Sequence, residues 1–105
     1  MTGEIAIVQT TVASREVADT MARVLIEEQF AVCVHLTEIN SVYLWDGEIQ
    51  RDAEIRCEFK TTVEHLSALV ERLIEIHPYD EPEILILSPV ATSDGYARYV
   101  SENLP

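Results

Sequence analysis

Glu48-Ile49-Gln50-Arg51-Asp52-Ala53-Glu54-Ile55-Arg56-Cys57-Glu58-Phe59-Lys60 alternates almost without fault. Ile49, Ala53, Ile55, Cys57 and Phe59 fall on one side, with Arg51 the exception; the other side is wholly polar. Successive side chains of a strand point to opposite faces, so this is a half-buried antiparallel strand. It is entered through Asp46-Gly47. That dipeptide favours a two-residue hairpin turn, because both turn positions need positive φ. The preceding arm is 31–45, rich in β-branched and aromatic residues. Pairing the arms through the turn sets Leu44 against Ile49, Leu36 against Cys57 and Val34 against Phe59, all on the core face.

Upstream, Ile5-Ala6-Ile7-Val8 begins a strand over 4–11. Ser14 can cap a helix running to about Gln29, with Val17, Met21, Val24 and Leu25 at helical spacing. Downstream, Thr61 with Glu64 fits a capping box for a second helix striped by Leu66, Leu69, Val70 and Leu73. His77-Pro78 ends that helix, since the residue before proline is pushed out of the helical region. Ile84-Leu85-Ile86-Leu87 reads as a fourth strand stopped by Pro89. A short last helix carries Tyr96, Tyr99 and Val100, capped by Thr92 or Ser93. The order β-α-β-β-α-β-α is α+β, the ferredoxin-like split βαβ with a long central hairpin and a C-terminal helix. Both main helices should cover one face of the sheet.

Each hairpin arm, 33–45 or 48–60, spans roughly 43 Å at about 3.3 Å per residue. A compact chain of this length has a diameter of roughly 33 Å. The tip must therefore project beyond the body. Ile39, Tyr43 and Trp45 lie opposite the core face and make an apolar patch of the kind that marks an interface.

The chain has 105 residues, read as one domain over 1–105, with 7 basic against 19 acidic residues and a formal charge of −12. That charge argues against nucleic acid and against an anionic membrane surface. No stretch approaches the roughly 20 apolar residues of a membrane span. Thr2, Gly3 and Glu4 lack the basic and apolar blocks of a secretory leader, so the expected compartment is the cytoplasm. Cys33 and Cys57 match no zinc spacing and read as small buried hydrophobes.

Ser41-Val42-Tyr43-Leu44-Trp45-Asp46-Gly47-Glu48-Ile49 resembles the S-x-Y-x-W-x-G-x-I segment of the CutA divalent-cation-tolerance family. His77-Pro78-Tyr79-Asp80-Glu81-Pro82-Glu83-Ile84 resembles its H-P-Y-E-x-P-E-I segment, and Phe59-Lys60-Thr61 and Ala31-Val32-Cys33-Val34 also fit. The resemblance spans essentially the whole chain. It implies a tightly packed homotrimer, an association with divalent-metal tolerance, copper binding in some members, and an architecture similar to PII-type signalling trimers. Three positions depart from the family pattern. His35 stands where Asn is usual, Tyr99 where Trp is common, and Gln9 where some members carry a thiol implicated in copper binding.

His77 is the leading metal-ligand candidate, with Glu83 as an oxygen donor; imidazole and carboxylate suit copper or zinc. The competing reading has His77, Tyr79 and Pro82 shaping a turn and bonding the backbone. Cys33 and His35 share a strand face, but His35 also stands opposite Glu58 as a cross-strand pair. His65 is expected to be solvated. Tyr43, Lys60, Tyr79, Glu54 and Asp52 are placed to line a cleft between subunits, where a small molecule could bind. No glycine-rich phosphate loop or nucleophile elbow is present, so a non-enzymatic protein with no required cofactor is expected. The two functional readings are a metal-binding or metal-responsive trimer and a PII-like signalling trimer with a small ligand in its cleft.

Overall fold

A computed structural model of the chain describes residues 4–105. Thr2 and Gly3, read above for the absence of a leader, lie outside them. The elements are β1 (Ile5–Val12), α1 (Arg15–Glu27), β2 (Cys33–Trp45), β3 (Glu48–Thr62), α2 (Leu66–Ile76), β4 (Ile84–Leu87) and α3 (Asp94–Glu102). The four strands form one antiparallel sheet in the order β2-β3-β1-β4. That is the ferredoxin-like arrangement.

The hairpin closes as its sequence demands. Asp46 and Gly47 take φ of 51° and 77°, the left-handed values of a primed two-residue turn. Leu44 pairs with Ile49, Leu36 with Cys57 and Val34 with Phe59. Ser14 caps α1, its hydroxyl accepting from the Val17 amide at 3.2 Å.

One face of the sheet carries the core. Val8 and Val12 of β1 and Ile55, Cys57 and Phe59 of β3 meet Ala18, Met21 and Leu25 of α1 and Leu69 and Leu73 of α2. Burial pushes the Cys57 thiol up to about 11, with Asp19 adding a smaller push. α3 covers part of the opposite face, where burial raises the Tyr96 phenol above its ordinary value, with the nearby Cys33 adding to the rise.

The expected capping box does not form. β3 continues through Thr62, and the buried Thr61 hydroxyl donates to the Phe30 carbonyl at 2.7 Å. A single 3-10 turn, Val63–His65, then leads into α2. The sheet claims Thr61 because its ladder runs to the end of β1, pairing Ala6 with Thr61 and Ile5 with Thr62. His65, expected in solvent, is half-buried and bonded through Nδ1 to the Thr62 hydroxyl at 2.7 Å.

The described residues extend over 48 × 27 × 21 Å, so the hairpin projects as its length requires. Ile39 is half-buried near the hairpin's middle, while Tyr43 and Trp45 are exposed. Leu44 and Ile49 share the core-side face by register, yet each is 72% exposed. The two helices do not reach that far along the hairpin.

Candidate functional site

The face opposite α1 and α2 holds an open groove of about 730 Å³. β1 gives it Gln9 and Thr11, β2 gives Ile39, Ser41, Tyr43 and Trp45, and β3 gives Glu54 and Arg56. The α2–β4 connection closes one side with Tyr79, Asp80, Glu81 and Glu83. These strand residues share one side of the sheet, as period-two alternation requires; Val42 of β2, which also borders the groove, points to the other side.

Two tyrosines are anchored to carboxylates. Tyr79 donates its phenol to Glu54 Oε2 at 3.0 Å. Burial, reinforced by that carboxylate, lifts the Tyr79 phenol to about 12. Tyr43 donates to Asp52, and this bond raises its phenol above the ordinary value. Both rings are therefore neutral walls near pH 7, offering flat apolar faces and no phenolate.

Beneath the groove, His77 pegs the α2–β4 connection to β1. It is buried and its ring lies 4.9 Å from that of Tyr79. Nδ1 accepts from the Tyr79 amide at 3.1 Å, so Nε2 carries the proton of the neutral ring. That Nε2–H is shared between the Thr11 carbonyl and Thr10 Oγ1, each at 3.0 Å. The Thr10 hydroxyl in turn donates to the Glu83 carbonyl at 2.6 Å. Burial holds the imidazole below its usual value, which keeps it neutral.

His77 and Glu83 are thus linked through the Thr10 hydroxyl, which meets the backbone carbonyl of Glu83. Both ring nitrogens are already committed. A metal at His77 would have to displace the Tyr79 amide or the threonine pair. Among the described residues, no three His, Cys, Asp or Glu side chains gather as a metal-holding group. The residues present do not fit a metal centre built on His77.

Of the expected cleft residues, Ile39, Tyr43, Trp45, Glu54 and Tyr79 line the groove together. Asp52 reaches it through Tyr43. Lys60 does not line it; its Nζ lies 3.4 Å from His35 Nδ1 further along the hairpin. Thr10 and Arg56 were not anticipated. Thr10 reads as one more residue of a thinning strand, and its partners lie 67 and 73 positions away. Arg56 was legible as a base among acids on the polar face of β3, but its neighbours come from other strands.

No helix among the described residues is long and apolar enough to cross a membrane. A family model described as CutA1 divalent ion tolerance protein matches residues 6–103. The divalent-cation tolerance protein CutA of Thermus thermophilus is 39% identical over 98 residues, which are 92% of this chain and 95% of that protein. CutA from Synechococcus elongatus PCC7942 superposes with a TM-score of 0.95 at 39% identity, covering 99% of this chain and 93% of that one. The same protein complexed with a Bis-Tris molecule gives a TM-score of 0.90 at 39% identity, over 98% of this chain and 96% of that one. With its fold, its two motifs and nearly its whole length matched, the chain belongs to the CutA1 divalent ion tolerance family.

Proposed function

We propose that the chain works as a non-enzymatic homotrimer in the cytoplasm that binds or responds to divalent metal ions such as copper. The observation that carries the trimer is the hairpin tip, where Val42, Leu44, Trp45 and Ile49 stand more than half exposed on both faces of a two-stranded ribbon. Such a patch calls for a partner surface. A cyclic trimer joins two unlike surfaces of each copy, and the unpaired outer edges of β2 and β4 are two such surfaces. Light scattering on the eluting peak should give three times the 11.9 kDa chain mass. A single-chain mass at micromolar concentration overturns the trimer.

The metal part of this reading rests on the family. His77 is better explained as a peg, so direct ion binding falls to carboxylates such as those at the groove rim. Titration calorimetry with copper and zinc tests it. Absence of heat from both would restrict the protein to an indirect response.

The groove favours a second reading, a PII-like trimer that binds a small organic ligand and acts on a protein partner. Three aromatic walls with a few polar groups are the usual make-up of a ligand pocket. The Synechococcus relative was solved with a Bis-Tris molecule. Saturable Bis-Tris binding to this chain, reduced by Tyr79→Ala, is the expected outcome. Binding unchanged by that substitution places the molecule elsewhere.

A further inference from the structure

Arg56 is the only base among the residues that line the groove. Its cross-strand neighbours are the uncharged Thr11 on β1 and Thr37 on β2. Its Nε is sealed from water with no hydrogen-bond acceptor. Among the described residues the ion pairs are Arg15–Glu38, Arg23–Glu27 and Arg72–Glu28, and Arg56 is in none of them. Acidic residues outnumber basic ones by 19 to 7, and Glu54 and Glu58 stand two positions away on the same face of β3, yet among the described residues none forms an ion pair with this half-buried guanidinium. A guanidinium keeps its charge at every working pH, and buried polar atoms normally find partners.

The groove's other features narrow what could pair with it. A guanidinium edge offers two parallel N–H groups, which match a carboxylate bidentately. Tyr43, Trp45 and Tyr79 supply apolar walls, while Glu81 and Glu83 make the rim negative. A doubly charged phosphate ester would meet those carboxylates with more negative charge than one guanidinium offsets. A carboxylate brings a single charge. An ammonium on the same molecule turns the acidic rim from a barrier into an attraction.

We infer that the groove selects a small zwitterion of the amino-acid class, its carboxylate held by Arg56, its ammonium facing Glu81 and Glu83, and its apolar part against the aromatic walls. This rests on the small-ligand reading and narrows it to one chemical class. A carboxylate that draws the guanidinium outward gives Nε and a terminal nitrogen the acceptors that the sheet withholds.

Trp45 is the only tryptophan, and it lines the groove, so its emission reports occupancy. The intact protein is titrated with phenylalanine, with phenethylamine, which lacks the carboxylate, and with 3-phenylpropionate, which lacks the ammonium. Phenylalanine should saturate the Trp45 signal at a concentration at least tenfold lower than either analogue. Arg56→Gln should abolish the preference over phenethylamine, and Arg56→Lys should retain part of it. If Arg56→Gln fails to fold, the three-probe comparison on the unaltered protein decides alone. Equal binding of phenylalanine and phenethylamine overturns the assignment. So does silence with all three probes, and the Bis-Tris titration then decides separately whether the small-ligand reading survives. An Arg56→Gln protein that falls to single chains while the unaltered protein binds the probes alike gives Arg56 to a contact between copies, which also overturns it.

Discussion

Phe59 and Ile49 lie on the same face of the same strand, yet Phe59 is fully buried and Ile49 is 72% exposed. Both obey one alternation. The difference lies in what stands above them. Over Phe59 the helices α1 and α2 complete the core with Met21, Leu25, Leu69 and Leu73. Over Ile49 there is no helix, and its cross-strand partner Leu44 is equally bare. Strand periodicity thus says which way a side chain points, and only the layer above says whether water is removed from it. The base of the hairpin is covered by helices of its own chain, while the tip has no such layer above it.

That contrast can be broken at either end. The largest effect is expected at the base: Phe59→Ala should cost about 3–5 kcal/mol through lost burial and a cavity, read as a lower urea midpoint. A loss below about 1 kcal/mol would mean that the core closes over the gap. At the tip, Leu44→Ser with Ile49→Ser should leave the far-ultraviolet circular dichroism unchanged while the mass by light scattering falls toward one chain. Retention of the full mass would show that the tip does not hold the assembly.

His77 gives a test between the two ends, because it ties the groove wall to β1. Its imidazole is held below its ordinary value of 6.5, so the neutral form is the one the fold prefers. The stability it confers is complete above that ordinary value and declines as pH falls through the depressed one. His77→Ala should lower stability at neutral pH by about 1–3 kcal/mol, from buried partners left unmet, and flatten the acid limb of the melting curve. Copper affinity unchanged by the same substitution would agree with a peg; a tenfold loss would restore His77 as a ligand. The smallest effect belongs to Tyr79→Phe, about 0.5–1.5 kcal/mol for one hydrogen bond. The Tyr79 phenol is raised from 10 to about 12, so its contribution is intact below pH 10 and is lost as pH climbs through 12. Absorbance titration of the unaltered protein against Tyr79→Phe should remove one late-ionising phenol.

The sequence told most about the hairpin. Asp46-Gly47 alone supplied turn and register, because a two-residue loop leaves no freedom in pairing. Helix limits were less legible. Thr61 carries every local mark of a cap, but its place in the ladder opposite Ala6 outweighs them. At the groove, the aromatic and acidic residues could be named because they sit in two dense segments. Their grouping around Arg56 could not, since Thr11 meets it only through the β1–β3 pairing, and Tyr79, Glu81 and Glu83 arrive on the separate α2–β4 connection. The His77 peg was half visible. A histidine before proline suggests a turn, but nothing local points to Thr10 as its partner.

Cys57, sealed beneath the helices, gives the molecule an internal clock. Its thiol is fully buried and pushed to about 11, so it is protonated and out of reach while the fold stands. Only the thiolate reacts with alkylating agents, and Cys33, half-exposed on the other face of the sheet, is within reach of them while the fold stands. In a pulse of reagent the first label therefore goes to Cys33, and the second waits for the core to open. With reagent in excess, the delay between the two masses measures how often the sheet parts from α1 and α2.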